Sequence, residues 1–140
     1  MSQISEQQIV DKLRTAGLRP TRQRVSLANL LFGNGDRHIT AEKLHEEAIL
    51  ANVPVSLATI YNTLHQFTEV GLLRELAVSG SKAHFDTNTS DHYHYVIETD
   101  GSVEDIPSGD VMVSGLPSPP EGMRISRVDV VVRLVPDADD

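Results

Sequence analysis

Ser56-Leu57-Ala58-Thr59-Ile60-Tyr61-Asn62-Thr63-Leu64-His65-Gln66-Phe67 is the stretch that decides the fold. Ser56 is a good helix cap, Leu57, Ile60, Leu64 and Phe67 repeat at intervals of three and four, and Gly71 supplies a stop, so the spacing predicts an amphipathic helix. Its other face is unusual. Thr59, Asn62, Thr63 and Gln66 are short uncharged donors and acceptors with Tyr61 beside them, where a water-facing helix usually carries Lys and Glu. Such a face suits a helix lying in the major groove of duplex DNA. Downstream, Leu72 to Val78 and Ala83 to Asp86 read as two strands around the turn Ser79-Gly80-Ser81. Helices ending in such a hairpin make a winged helix.

Working outward, Ser5 and Gln8 have the spacing of a capping box, Val10 and Leu13 have helical spacing, and Gly17 ends that helix. Pro20-Thr21 opens a second helix with Val25, Ala28, Leu31 and Phe32 on one side, closed by Gly33-Asn34-Gly35-Asp36. Thr40 caps a third with Ala41, Leu44, Ala48 and Ala51 inward, ending before Pro54. From residue 91 the pattern is mainly strand: Tyr93 to Glu98, a turn at Asp100-Gly101, Val103 to Ile106, and Ile125 to Val135. Between them Ser108 to Gly122, with Pro117, Pro119 and Pro120, is broken. The expected class is α+β: a winged-helix DNA-binding domain with its wing hairpin at residues 1–86, then a small α/β dimerisation and ligand-sensing domain at residues 87–140. The Val128, Val130 and Val132 face, apolar at period two, is the expected interface of a homodimer.

A net charge of −8 over 140 residues looks wrong for a DNA-binding protein until it is divided along the chain. Residues 1–80 hold eight Lys/Arg against eight Asp/Glu, and residues 81–140 hold four against twelve. All the excess acid is C-terminal. In the neutral part, Lys12, Arg14, Arg19, Arg22 and Arg24 come with no acidic residue between positions 12 and 35, a density that phosphate contacts require and that a solvated helix face also shows. The chain has no cysteine, which excludes disulfides, Fe–S clusters and thiolate zinc. No apolar run approaches the length of a bilayer span, and Met1 to Ser5 lacks the pattern of a secretory signal, so a cytoplasmic protein without membrane contact is expected.

His92 and His94 are one residue apart, so on a strand their rings leave the same face and can share one metal ion. Asp86 and Asp105 could supply oxygen ligands beside them, and His38 a fifth donor. Such N/O sets favour Fe(II), Mn(II) or Zn(II), and the imidazoles of His92, His94 and His38 could also ligate haem. A His-x-His pair is also a common surface feature, and aspartates form turns. His45, His65 and His84 read as structural or exposed, and Tyr93 and Tyr95 as packing residues.

These residues form a familiar series. Gly17 to Arg24, His38-Ile39-Thr40-Ala41-Glu42, Leu57 to Leu64, and Phe85-Asp86 followed by Ser90 to His94 resemble the ferric uptake regulator (Fur) superfamily over nearly the whole chain. The resemblance implies a homodimer on double-stranded operator DNA, with higher oligomers open, in which metal between the halves sets the angle of the DNA-binding domains. It matches His38, Asp86, His92, His94 and Asp105 with the regulatory ligands of the peroxide-sensing PerR branch. The DNA contacts it implies are Arg19, Arg22, Ser56, Thr59, Tyr61, Asn62 and Thr63, with the Tyr61 ring on a thymine methyl and its hydroxyl on phosphate. Ile97 and Asp100 stand where many relatives have a cysteine pair for structural zinc, so no structural zinc held by four cysteines is expected. The cysteine-free chain, with Asp105-Ile106-Pro107 and its C-terminal run, looks like the iron response regulator (Irr) branch, which senses haem status and controls haem synthesis and iron uptake. The cysteine-proline haem motif of some members is missing.

The rival of another class is a cupin-like metalloenzyme, because His92-Tyr93-His94-Tyr95-Val96-Ile97-Glu98 fits the core of that ligand pattern. It leaves four helices unexplained, lacks the flanking glycine and has no later ligand motif. A regulator rather than an enzyme is therefore expected.

Overall fold

The computed structural model describes residues 4–76, 83–90, 92–107 and 109–138. The expected wing turn Ser79-Gly80-Ser81 and the strand end Ala77-Val78 lie outside them. The chain divides into two compact units, residues 1–89 and 90–140. Residues 87 and 88 are tied to the first unit: the Thr87 N–H donates to the Arg37 carbonyl at 3.0 Å, and Asn88 N–H to Asp86 Oδ1 at 2.8 Å.

The first unit holds α1 (Glu6–Thr15), α2 (Arg22–Phe32), β1 (His38–Thr40), α3 (Ala41–Leu50), α4 (Leu57–Glu69), β2 (Arg74–Leu76) and β3 (His84–Asp86). Each helix starts where a side chain satisfies an orphan backbone donor. Ser5 and Gln8 form the full capping box, and Thr21, Thr40 and Ser56 each accept the N–H three residues on. Gly17 and Gly71 end α1 and α4 at φ 86° and 83°, a conformation that costs other residues. Packing rearranges two of the predicted inner faces. Ile9 is fully buried where Val10 is only half-buried, and Ala51 is the exposed C-cap of α3 rather than part of its inner face.

Leu13, Leu27, Leu31, Leu44, Ile60, Leu64, Phe67 and Phe85 join Ile9 in one core with no exposed surface. At roughly 1.5–3 kcal/mol per large side chain removed from water, this cluster dominates the unit's stability. A three-stranded antiparallel sheet in the order β1-β3-β2 flanks it. β1 carries no strand signal in the sequence. Three residues are too few to show a period, and this strand exists only because β3 pairs with it.

The second unit contains β4 (His94–Ile97), β5 (Ser102–Asp105) and β6 (Val131–Leu134), in the order β5-β4-β6, with β5 antiparallel and β6 parallel to β4. All helices among the described residues belong to the first unit, while both units hold a three-stranded sheet, so the chain is α+β. The expected long strand Ile125 to Val135 is reduced to four residues, because β4 offers only four partners to pair. Residues 109–130 connect the sheet's two edges without a helix, as prolines at 117, 119 and 120 dictate. Among the described residues no helix is long and apolar enough to cross a membrane.

Candidate functional site

The polar face of α4 is the first candidate surface. Asn62, His65 and Gln66 are exposed, Thr59 and Tyr61 are half-buried, and the first turn carries no acidic residue. Thr63 is a correction: at 5% exposure it faces the core beside Leu64, so it cannot reach a base edge. The Ser56 hydroxyl accepts the Thr59 N–H at 3.1 Å and donates to Thr59 Oγ1 at 3.0 Å, which closes the helix's first turn. Tyr61 also departs from expectation, since its O–H donates to Glu42 Oε2 at 2.8 Å. That bond, then burial, then the charge of Glu42 hold the phenol above its ordinary pKa.

Arg19 and Arg22 are exposed on the approach to α2. Arg24 braces this segment: one guanidinium nitrogen donates to the Arg19 carbonyl at 3.0 Å and another to Gln66 Oε1 at 3.4 Å. In the sequence Arg24 stands out only as one charge of the basic run. Its link to Gln66 spans 42 positions and has no local signal.

A second feature lies at the edge of the same unit's sheet. His38 and Asp86 are directly opposite in the β1–β3 register, and His38 Nε2 lies 3.2 Å from Asp86 Oδ2. Asp86 is 1% exposed. A carboxylate removed so far from water needs a positive partner, and an imidazole provides one when protonated or when a cation lies between them.

The second unit has its own cluster. His94 is opposite Asp105 in the β4–β5 register, and the Nε2 atoms of His92 and His94 lie 3.3 and 3.4 Å from the same Asp105 oxygen, Oδ1. The two rings are tilted, with centroids 4.5 Å apart. His92 Nδ1 sits 2.6 Å from the Ser90 carbonyl, and a carbonyl only accepts, so Nδ1 carries a hydrogen and a neutral ring turns the lone pair of Nε2 toward Asp105. A lone pair facing a carboxylate oxygen is repulsive until a proton or a metal cation lies between them. Nitrogen and oxygen donors held in this way, with the ring fixed through its other nitrogen, fit a divalent first-row ion. Glu98, the third ligand of the cupin-like reading, is instead engaged with Arg133 at 3.6 Å.

His45, expected to be structural, contacts the Val55 carbonyl through Nε2 at 3.2 Å, and His65 lies exposed between the rings of Tyr61 and Phe85.

Known proteins give this arrangement a context. Residues 15–130 match the Ferric uptake regulator family. The peroxide-responsive repressor PerR of Staphylococcus aureus (strain Mu50 / ATCC 700699) is 37% identical over 97 residues, 69% of this chain. The match spans 64% of that relative's length. Among solved structures, the ferric uptake regulator from Pseudomonas aeruginosa with manganese superposes with a TM-score of 0.68 at 26% identity, over 90% of this chain and 96% of that one. The Vibrio cholerae ferric uptake regulator has a TM-score of 0.71 at 22% identity, over 90% and 98%, and shows likeness of fold. With helices, sheets and a sequence match running through both units, the chain belongs to the ferric uptake regulator family.

Proposed function

We propose that this chain is a metal-responsive transcriptional regulator that binds operator DNA as a dimer. The observation that carries the reading is the pair of imidazole nitrogens converging on Asp105 Oδ1, an arrangement that asks for a cation. In the proposal His92, His94 and Asp105 share one divalent ion with His38 and Asp86, so that donors from both units belong to one site. A bound ion supplies the positive charge these carboxylates and lone pairs require. Ligands drawn from both units make occupancy depend on the angle between them, since a ligand shifts a conformational equilibrium only by its differential affinity for the two states. The family match and the manganese-bound relative favour Fe(II) or Mn(II) as the ion, with Zn(II) a substitute in vitro.

The DNA side of the proposal rests on the uncharged exposed face of α4 and on Arg19 and Arg22. Dimerisation through the second unit is supported by half-buried Val128, Val130 and Val132 and by exposed Met112, Met123 and Ile125 nearby in sequence. A two-fold protein implies an inverted-repeat operator.

The finer reading is an iron- and haem-responsive regulator of haem synthesis and iron uptake, favoured by the cysteine-free chain. Haem taken by His92 and His94, with His38 as a further candidate, would withdraw donors from the ion and so oppose it. The similarity to a peroxide-responsive repressor favours a second reading, in which peroxide acts on the metal-loaded protein.

The test is to add Mn(II), Fe(II) and haem separately to a DNA-binding assay at fixed salt, with wild type and a His92→Ala, His94→Ala double variant, since affinity without a stated salt has no meaning. Wild type should respond to a divalent ion and the variant should not. An unaltered response in the variant overturns the site. Reversal of the Mn(II) effect by haem supports the haem reading, and loss of the Fe(II) effect on adding peroxide, with the Mn(II) effect retained, supports the other.

A further inference from the structure

Glu42 lies in the first turn of α3, a helix held at its start by the Thr40 cap, and its carboxylate meets the α4 residue Tyr61 across the two helices. The contact is short at 2.8 Å, and both residues are half-buried. The Tyr61 ring packs against the unit's core and lies 6.3 Å, centroid to centroid, from the ring of His65. A phenol has one hydrogen to donate, and a phosphate oxygen can only accept, so the bond to Glu42 competes with any bond from this hydroxyl to DNA. A carboxylate beside a DNA-facing helix also repels phosphate. Its presence there needs a reason.

We propose that Glu42 is a positioning residue for DNA reading: by taking the Tyr61 hydroxyl it holds the ring in one orientation, so that Tyr61 discriminates bases through its ring and makes no phosphate bond. A ring fixed before binding loses little rotamer freedom on contact with a thymine methyl, and a ring free to rotate discriminates less. The inference rests on the reading of α4 as the DNA-facing helix. The elevated ionisation of Tyr61 supplies a signal of the bond that is independent of DNA.

The experiment uses the full chain loaded with Mn(II) and the duplex that the wild type enriches from a random pool, compared with a scrambled duplex at the same salt. Glu42→Ala should lower the preference for the enriched duplex about three- to tenfold, the range of one net hydrogen bond. Glu42→Gln, which keeps an acceptor, should stay within about twofold of wild type on the same scale. Tyr61→Phe should lose as much as Glu42→Ala, and the double variant no more than either, because the two residues act as one unit. In the free protein, 13C-labelled tyrosine resonances, with Tyr61 assigned by Tyr61→Phe, should show its ionisation falling back toward the ordinary value in Glu42→Ala.

Unchanged preference in Glu42→Ala overturns the proposal. So does a Tyr61→Phe variant that weakens binding to both duplexes equally, which would put the hydroxyl on phosphate. Wild type that enriches no duplex overturns the DNA reading and this inference with it, and the tyrosine resonances of the free protein would still report whether the bond exists. Should Glu42→Ala fail to fold, Tyr61→Phe against Glu42→Gln decides.

Discussion

The two units solve the problem of a small core in opposite ways. In the first, Ile9, Leu13, Leu27, Leu31, Leu44, Ile60, Leu64, Phe67 and Phe85 are wholly removed from water around a helical scaffold. In the second, Val96 and Ile106 are the buried apolar side chains among the described residues, and His94 is buried beside them. Several large apolar residues of this unit are outside: Met112 is 89% exposed, Met123 67% and Leu116 49%. One unit satisfies itself. The other leaves apolar side chains in water and polar donors grouped around Asp105, which is the division expected if, as proposed, it contributes ligands to the ion and carries the dimer interface.

The contrast is broken most directly by separating the units. Residues 1–89 should unfold cooperatively on heating and sediment as a monomer, whereas residues 90–140 alone should show no cooperative transition by circular dichroism. A dimeric 1–89 fragment would move the interface out of the second unit. Within the full chain, Phe67→Ala should cost about 3–5 kcal/mol, as large core truncations do. Val96→Ala should cost only about 1 kcal/mol in the same denaturant titration, because it removes two methyl groups from a core whose buried apolar side chains among the described residues are Val96 and Ile106. Equal losses would mean that the second core is larger than its buried residues suggest.

The smallest effect is expected at the β4–β5 turn, which is closed by its own hydrogen bonds. Ser102 donates its hydroxyl and its N–H to Asp100 Oδ1 at 2.6 and 2.9 Å, and Gly101 completes the turn at φ 73°. The Ser102 hydroxyl first, and its N–H second, hold Asp100 below the ordinary carboxylate value of 3.8. A depressed folded-state value stabilises the turn above 3.8 and loses that contribution as the pH falls through the folded value. Asp100→Asn should therefore remove part of the acid sensitivity of hydrogen exchange in the turn, and exhaustive chelation, which would act at the His94–Asp105 end of the hairpin, should leave the protection of the Gly101 and Ser102 amides unchanged. Loss of protection on chelation would show that metal holds this turn.

What could be read directly from the residues is what neighbours in sequence decide. Ser5, Thr21, Thr40 and Ser56 start their helices as read, because a cap is a bond across three positions. The ends of α1 and α4 at Gly17 and Gly71 follow for the same reason. The His-x-His spacing does bring two rings together, although His92 precedes β4 and only His94 is placed by the strand. Tertiary structure decided the rest. Thr63 faces the core because of what packs against α4, β1 is a strand because β3 lies beside it, and β6 is short because β4 is. The Tyr61 hydroxyl meets Glu42, Arg24 meets Gln66 and His38 meets Asp86, each across a gap that no local pattern spans. Sequence periodicity fixes which way a side chain leaves its own helix or strand, and only packing determines which distant partner is there to receive it.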